Sequence, residues 1–190
     1  MSKFTKNAIT DAFIELISER PLDKITVKDV VNKCGVNRNT FYYYYRDIYE
    51  LVEDVFETET QRILGEASVF ESWQDAFVKA TDFAYKNRHG IYHIYKSISR
   101  EQLENYLNKV TLNNMLAFTK NIAKDINASE EDIYMVSMFY THALVGIVLQ
   151  WLNDGMREDP YTYINKLGKL LDGNIKQTLE RNATPKSQTN

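Results

Sequence analysis

Ile25–Leu51, ITVKDVVNKCGVNRNTFYYYYRDIYEL, reads as two short helices joined by a tight turn, the second running into the tyrosines Tyr42, Tyr43, Tyr44 and Tyr45. Thr26 supplies a side-chain oxygen for a helix start. Asp29 stands three residues on, in capping-box register, and Val27, Val30 and Val31 give that helix an apolar side. Gly35 suits the left-handed conformation that ends a helix, Val36 can plug the turn, and Asn37 offers a cap oxygen for the next helix. Helices joined by so few residues cross steeply. In such a helix-turn-helix the second helix lies in the major groove of DNA while the first crosses the backbone.

On the second helix, Phe41 and Tyr45 are four apart and share the face of Val36, which turns them inward. The opposite face carries Arg38, Asn39, Thr40, Tyr42 and Tyr43. Arg matches guanine O6 and N7, Asn matches adenine, and Thr or Tyr hydroxyls suit phosphate oxygens. The plain alternative is a solvated polar face of a small helical domain. Consecutive exposed tyrosines argue against it, because exposed aromatic area invites association unless something covers it.

With these residues in place, the segment resembles the N-terminal domain of the TetR (AcrR-like) transcriptional regulators. The family pattern is a threonine-started helix, a Gly-Val turn, a Ser-type cap, Thr-Phe-Tyr, an aromatic pair and a leucine. It is met by Thr26, Gly35, Val36, Asn37, Thr40, Phe41, Tyr42, Tyr44, Tyr45 and Leu51. The resemblance implies phosphate contacts from Thr26 and Thr40, base contacts from Arg38 and Asn39, and a backbone clamp from Tyr42 and Tyr44. Lys28, Asn37, Tyr43 and Arg46 complete the expected contact set. Two positions depart from the pattern. Asn39 stands where family members commonly have Gly and adds an amide; Ile48 stands where a phosphate-binding Lys is common and leaves Arg46 as the nearest cation. GIVLQWLNDGMREDPYTYINKLGKLLDGNI (146–175) and NRNTFYYYYRDIYEL (37–51) are also similar to a TetR subgroup that includes regulators beside dihydroxyacetone-kinase genes, where Ile often replaces that Lys.

The charge is polarised. The formal total is −3 over 190 residues. Residues 1–46 hold eight Lys and Arg against five Asp and Glu, or +3, and residues 47–190 hold 15 against 21, or −6. Phosphate contacts drive affinity for DNA, so the basic end is expected to face it. Hydrophobic residues make up 44% of the chain, ample for a core. The single cysteine, Cys34, excludes an internal disulfide, fits a reducing cytoplasm, and is expected to pack as a small apolar group in the turn. No apolar run of the roughly 18 residues needed to span a bilayer is evident, and Met1–Lys6 lacks a signal-peptide core.

Helical periodicity runs through the rest, and the whole chain holds only three prolines and seven glycines to interrupt it. The expectation is an all-α chain of about nine helices: a three-helix helix-turn-helix domain over 1–46, a helical ligand-binding and dimerisation domain over 47–181, and a disordered polar tail over 182–190. Ala8, Ala12, Phe13, Leu16 and Ile17 line the first helix, which ends at Arg20, Pro21 and Leu22. Asp47 caps a fourth helix with Leu51, Val55 and Phe56 inward, running to Leu64 and Gly65. Further helices are expected over Ser72–Lys86, His89–Ile98, Arg100–Asp125, Ser129–Asn153 and Asp159–Glu180.

The last two of these carry apolar stripes that include Tyr140, Leu144, Ile147 and Trp151 on one and Ile164, Leu167, Leu171 and Ile175 on the other. These read as a dimer seam, with Gly146 and Gly168 permitting close approach, because a groove-reading helix works as a two-fold pair on a palindromic operator. An intramolecular core is the alternative for both stripes. The middle helices hold Trp73, Phe77, Tyr92, Tyr95, Tyr106, Met115 and Phe118, a lining suited to an apolar or planar effector. The resemblance implies that such a ligand tilts the helix from Asp47 to Leu64 and changes the separation of the two reading helices.

Nothing points to an enzyme. His89 and His93 share a helix face, but Gly90 replaces the Glu a zinc protease needs, no third ligand is evident, and His142 in its apolar helix reads as a core histidine. No phosphate loop or nucleophile elbow is present. No cofactor, metal or membrane partner is expected. The partners are an operator duplex, a second copy of the chain, and a small-molecule or protein effector, with repression the commoner outcome in the resembling family. The rival readings are a helical protein-binding regulator without specific DNA binding, and an activator controlled by a partner protein.

Overall fold

Thr26 begins the first of two capped helices that position everything else. In the computed structural model, which describes residues 2–64 and 72–183, its hydroxyl oxygen accepts from the Asp29 backbone N–H at 3.3 Å. The Asp29 carboxylate accepts from the Thr26 backbone N–H at 2.9 Å, which closes the capping box of α2 (Val27–Cys34). Gly35 ends α2 at φ +72°, and the Val36 N–H reaches back to the Val31 carbonyl at 3.1 Å. The Asn37 carboxamide oxygen accepts from the Thr40 N–H at 2.8 Å and starts α3 (Arg38–Tyr44). Asp47 in turn accepts from the N–H groups of Tyr49 and Glu50, at 2.8 and 2.9 Å, and starts α4 (Ile48–Leu64).

The other helices are α1 (Ser2–Glu19), α5 (Trp73–Lys86), α6 (Arg88–Ser97), α7 (Arg100–Ala123), α8 (Glu130–Asn153), α9 (Pro160–Leu170) and α10 (Asn174–Asn182). No strand occurs among the described residues. The helix expected over Asp159–Glu180 is two helices, because Gly173 at φ +72° breaks it and re-aims α10 against α7 and α8. Gly65 and residues 184–190 of the expected tail lie outside the described residues.

One core joins Ile9, Ala12, Phe13, Leu16 and Ile17 of α1 to Val30, Val31, Phe41 and Tyr45. Ile9 holds the buried place expected of Ala8. This core runs past residue 46, since Leu51, Val52 and Val55 of α4 and Ile94 of α6 belong to it. His93 seals the α1–α6 junction, its Nδ1 lying 2.8 Å from the Ile17 carbonyl oxygen. Cys34 packs beside this core, as expected. A second core holds Trp73, Met115, Tyr140, Leu144, Ile175 and Leu179, and a third Leu103, Val145, Leu149, Leu152 and Met156.

Helix α8 corrects the expectation that no segment is apolar enough to span a bilayer. It has no Asp, Glu, Lys or Arg from Ile133 to Leu152, and its 24 residues include a window of mean hydropathy 1.5. By length and composition alone it passes that test. Here it lies along α7 and α10. Its buried Ser137 and Thr141 hydroxyls donate to the carbonyls of Ile133 and Ser137, each at 2.8 Å.

Candidate nucleic-acid interface and effector cavity

Helix α3 is held from below and open above. Phe41 is fully buried and Tyr45 is 3% exposed, with ring centroids 5.7 Å apart. The Tyr45 hydroxyl donates to Asp54 Oδ2 at 2.7 Å, and the Lys6 ammonium sits 2.6 Å from Asp54 Oδ1. Burial, and then the bond to the Asp54 carboxylate, push the Tyr45 phenol far above its ordinary value, so it remains a donor. Arg38 and Asn39 are exposed on the outer face, with Tyr42 55% and Tyr43 79% exposed. No acidic residue occurs in α3. A guanidinium, a carboxamide and two phenols thus occupy one open surface of seven residues, and Lys28 of α2 is exposed as well.

The remaining expected contacts are differently placed. The Arg46 guanidinium is turned to Glu50, Nε to Oε2 at 3.1 Å, and its backbone N–H donates to the same oxygen at 2.6 Å. That N–H, and then the guanidinium, hold the Glu50 carboxyl below its usual range. Tyr44 is half-buried against the N-terminal core. The Thr26 and Thr40 hydroxyls donate inward, to Asp29 Oδ2 at 2.6 Å and to Asn37 Oδ1 at 3.0 Å. Either would exchange that side-chain bond for one to a phosphate oxygen, and Asn37 already caps α3 with its own oxygen.

Between α4, α5, α6, α7 and α8 lies a cavity of about 190 Å³ with a mainly apolar wall. Trp73, Phe77, Tyr95, Tyr106, Met115 and Phe118 line it as the aromatic spacing suggests. Tyr92 does not. It stands on the outside of α6, 38% exposed, beside a more open groove that also takes His142, which is likewise exposed instead of in the core. Sequence reading missed Glu59 and Thr60 of α4, although Thr60 follows Phe56 at helical spacing and so shares its face. The Thr60 and Tyr106 hydroxyl oxygens are 2.6 Å apart, and the Phe56 and Tyr106 ring centroids 5.1 Å. The Glu59 carboxylate is engaged by Arg62 at 2.6 Å.

The stripes assigned to a dimer seam are largely the chain's own interior. Tyr140, Leu144, Ile164 and Ile175 are buried, Leu167 and Leu171 pack on the second core, Leu144 and Trp151 also face the cavity, and Ile147 borders the outer groove. Gly168 serves an intramolecular approach, since a Cβ there would lie 2.5 Å from Gln74 Cγ on α5, whereas Gly146 faces open space. Among the described residues, the large apolar side chains left outside on these helices are Tyr134, Met135 and Phe139 on α8, the last 71% exposed, and Tyr161, Tyr163 and Leu170 on α9.

Residues 9–55 match the family model described as bacterial regulatory proteins, tetR family, and residues 71–173 match a transcriptional regulator C-terminal region. The HTH-type transcriptional regulator YxbF of Bacillus subtilis (strain 168) is 24% identical over 182 residues, 90% of this chain and 46% of that protein. The dhaKLM operon transcriptional activator DhaS of Lactococcus lactis subsp. lactis (strain IL1403) is 27% identical over 87 residues, 46% of each. The chain thus spans about half the length of these curated relatives. Among solved structures, a dihydroxyacetone kinase operon activator DhaS superposes with a TM-score of 0.74 at 19% identity, covering 93% of this chain and 98% of that one. NalD, the secondary repressor of the MexAB-OprM multidrug efflux pump in Pseudomonas aeruginosa, superposes at 0.61 with 16% identity over 96% and 100%. These likenesses show the fold.

Proposed function

Because the chain belongs to the TetR family of bacterial transcriptional regulators, which are not enzymes, we propose that it is a cytoplasmic repressor that binds a palindromic operator as a homodimer and releases it when an effector occupies the cavity. The observation that carries this reading is the open face of α3, where Arg38 and Asn39 stand beside Tyr42 and Tyr43 while Phe41 and Tyr45 fix the helix from within. Arg38 reads guanine edges, Asn39 reads adenine, and the tyrosines with Lys28 hold phosphates. Thr26 and Thr40 each add a phosphate contact by releasing the bond their hydroxyl makes to Asp29 or Asn37.

Support for the dimer is the exposed apolar surface of α8 and α9, which a second copy related by a two-fold axis would cover. Sedimentation at micromolar concentration is expected to give a species of twice 22.2 kDa; a single 22.2 kDa species removes the dimer from the proposal. A blocking dimer needs no contact with polymerase. A second reading, activation, is favoured by similarity to DhaS, whose name gives it as an activator. A reporter fused to the target promoter separates the two: loss of the regulator raises expression under repression and lowers it under activation.

A further inference from the structure

Resting on that regulatory reading, we infer that the cavity takes a small neutral monocyclic molecule with one hydrogen-bonding group, and that this group is read by Tyr106 through exchange with Thr60. Size sets the first limit. An apolar cavity of about 150 Å³ suits benzene, so about 190 Å³ suits one ring with a short substituent.

Charge sets the second limit. Among the described lining residues there is no Lys or Arg, so an anion finds no counter-ion. Glu59 is already paired with Arg62, so a cation must displace that guanidinium. The Thr81 hydroxyl is committed to the Phe77 carbonyl at 2.8 Å. At the cavity wall the 2.6 Å contact of Tyr106 with Thr60 joins two helices, α7 and α4. A ligand hydroxyl entering there can take Tyr106 as one partner and Thr60 as the other, which relaxes the hold of α7 on α4. Burial raises the Tyr106 phenol above its ordinary value, so it meets the ligand as a neutral hydroxyl.

The consequence travels along α4. Phe56 packs on Tyr106, and Asp54, two residues before it, holds the Tyr45 hydroxyl that closes α3. Freed at Thr60, α4 shifts at both its cavity face and its α3 face.

Calorimetry on the full chain with four probes tests this: 4-ethylphenol, ethylbenzene, benzoate and benzylamine. The expected order is 4-ethylphenol tightest, ethylbenzene about tenfold weaker for want of one hydrogen bond, and the two ions silent. The double variant Tyr106→Phe/Thr60→Val, which leaves the ligand hydroxyl neither partner, is expected to bring 4-ethylphenol down to the level of ethylbenzene while leaving ethylbenzene unchanged, which also reports that the variant is folded. Thr60→Val is expected to bind 4-ethylphenol at least as tightly as wild type but to lose the ligand-induced fall in affinity for a selected genomic DNA fragment. The inference is overturned if no neutral probe binds, if either ion binds as tightly as 4-ethylphenol, or if the Tyr106→Phe/Thr60→Val double variant binds 4-ethylphenol normally. Because calorimetry needs no DNA, its failure beside sequence-specific DNA binding leaves the regulatory reading standing. Ligand binding without any sequence-specific DNA binding sinks that reading and the coupling with it.

Discussion

The Tyr45 hydroxyl donates to Asp54 Oδ2 at 2.7 Å, joining the residue that closes α3 to the middle of α4. Lys6 of α1 grips the other oxygen of the same carboxylate at 2.6 Å. Three elements of the DNA-facing unit thus meet at one acid, and the aim of α3 depends on where α4 lies.

Removing that hydroxyl leaves a part-buried carboxylate oxygen without its donor. Tyr45→Phe is expected to lower stability by about 1.5–3 kcal/mol, the range for hydrogen bonds to charged groups, read as a shift of the urea midpoint with unchanged slope. No change in midpoint means that the bond contributes nothing measurable.

The same phenol makes stability fall at high pH. Its folded pKa is raised, first by burial and then by Asp54, so its contribution is complete below the unfolded value of about 10 and is lost as pH rises above it. Tyr106 and Tyr140 are raised by burial in the same direction. Thermal melts are therefore expected to drop above about pH 10, and less steeply for Tyr45→Phe than for wild type. Equal slopes would remove Tyr45 from the effect.

Gly35 sits at φ +72° with nothing near the position of a Cβ, so Gly35→Ala tests backbone strain alone. A loss of about 1 kcal/mol is expected from the left-handed conformation, by the same urea titration. Gly168→Ala is a different case, since its Cβ would meet Gln74 Cγ at 2.5 Å and push α9 from α5. Overpacking of this kind costs about 1–3 kcal/mol, and a neutral result would show that Gln74 swings clear.

At the DNA surface, side chains that read bases separate from those that hold phosphates. Arg38→Ala and Asn39→Ala are each expected to weaken binding to the selected sequence by about 1–3 kcal/mol and random duplex little. Tyr42→Phe is expected to weaken both alike. The check is fluorescence anisotropy on two duplexes at fixed salt, since affinity without a stated ionic strength has no meaning. Equal losses on both duplexes for Arg38→Ala would take Arg38 off the bases.

Most of the N-terminal unit was legible because each local signal stands in one place and has one use. Thr26 with Asp29, Gly35, Asn37 and Asp47 each cap or end a helix as their chemistry requires, and Phe41 and Tyr45 turn inward by spacing. Helix α8 was harder. It is apolar nearly all round, so periodicity does not say which side meets α7, and Tyr140 and Leu144 went inside while Phe139 and His142 stayed out. Tyr92 and Tyr95 are three apart on α6, yet only Tyr95 reaches the cavity. The break at Gly173 lies in a stretch whose leucines continue the helical pattern to its edge. The link from Thr60 to Tyr106 joins residues 46 apart in the chain, and only the tertiary fold brings them together.

Genomic fragments captured by the purified protein at physiological salt decide whether α3 reads sequence. Recovered fragments are expected to share an inverted repeat, with half-sites a whole number of helical turns apart, and Arg38→Ala is expected to bind them about 1–3 kcal/mol more weakly while its hold on random duplex changes little. Recovery of unrelated fragments, bound with equal and weak affinity, would mean that the tyrosine face of α3 serves a protein partner instead.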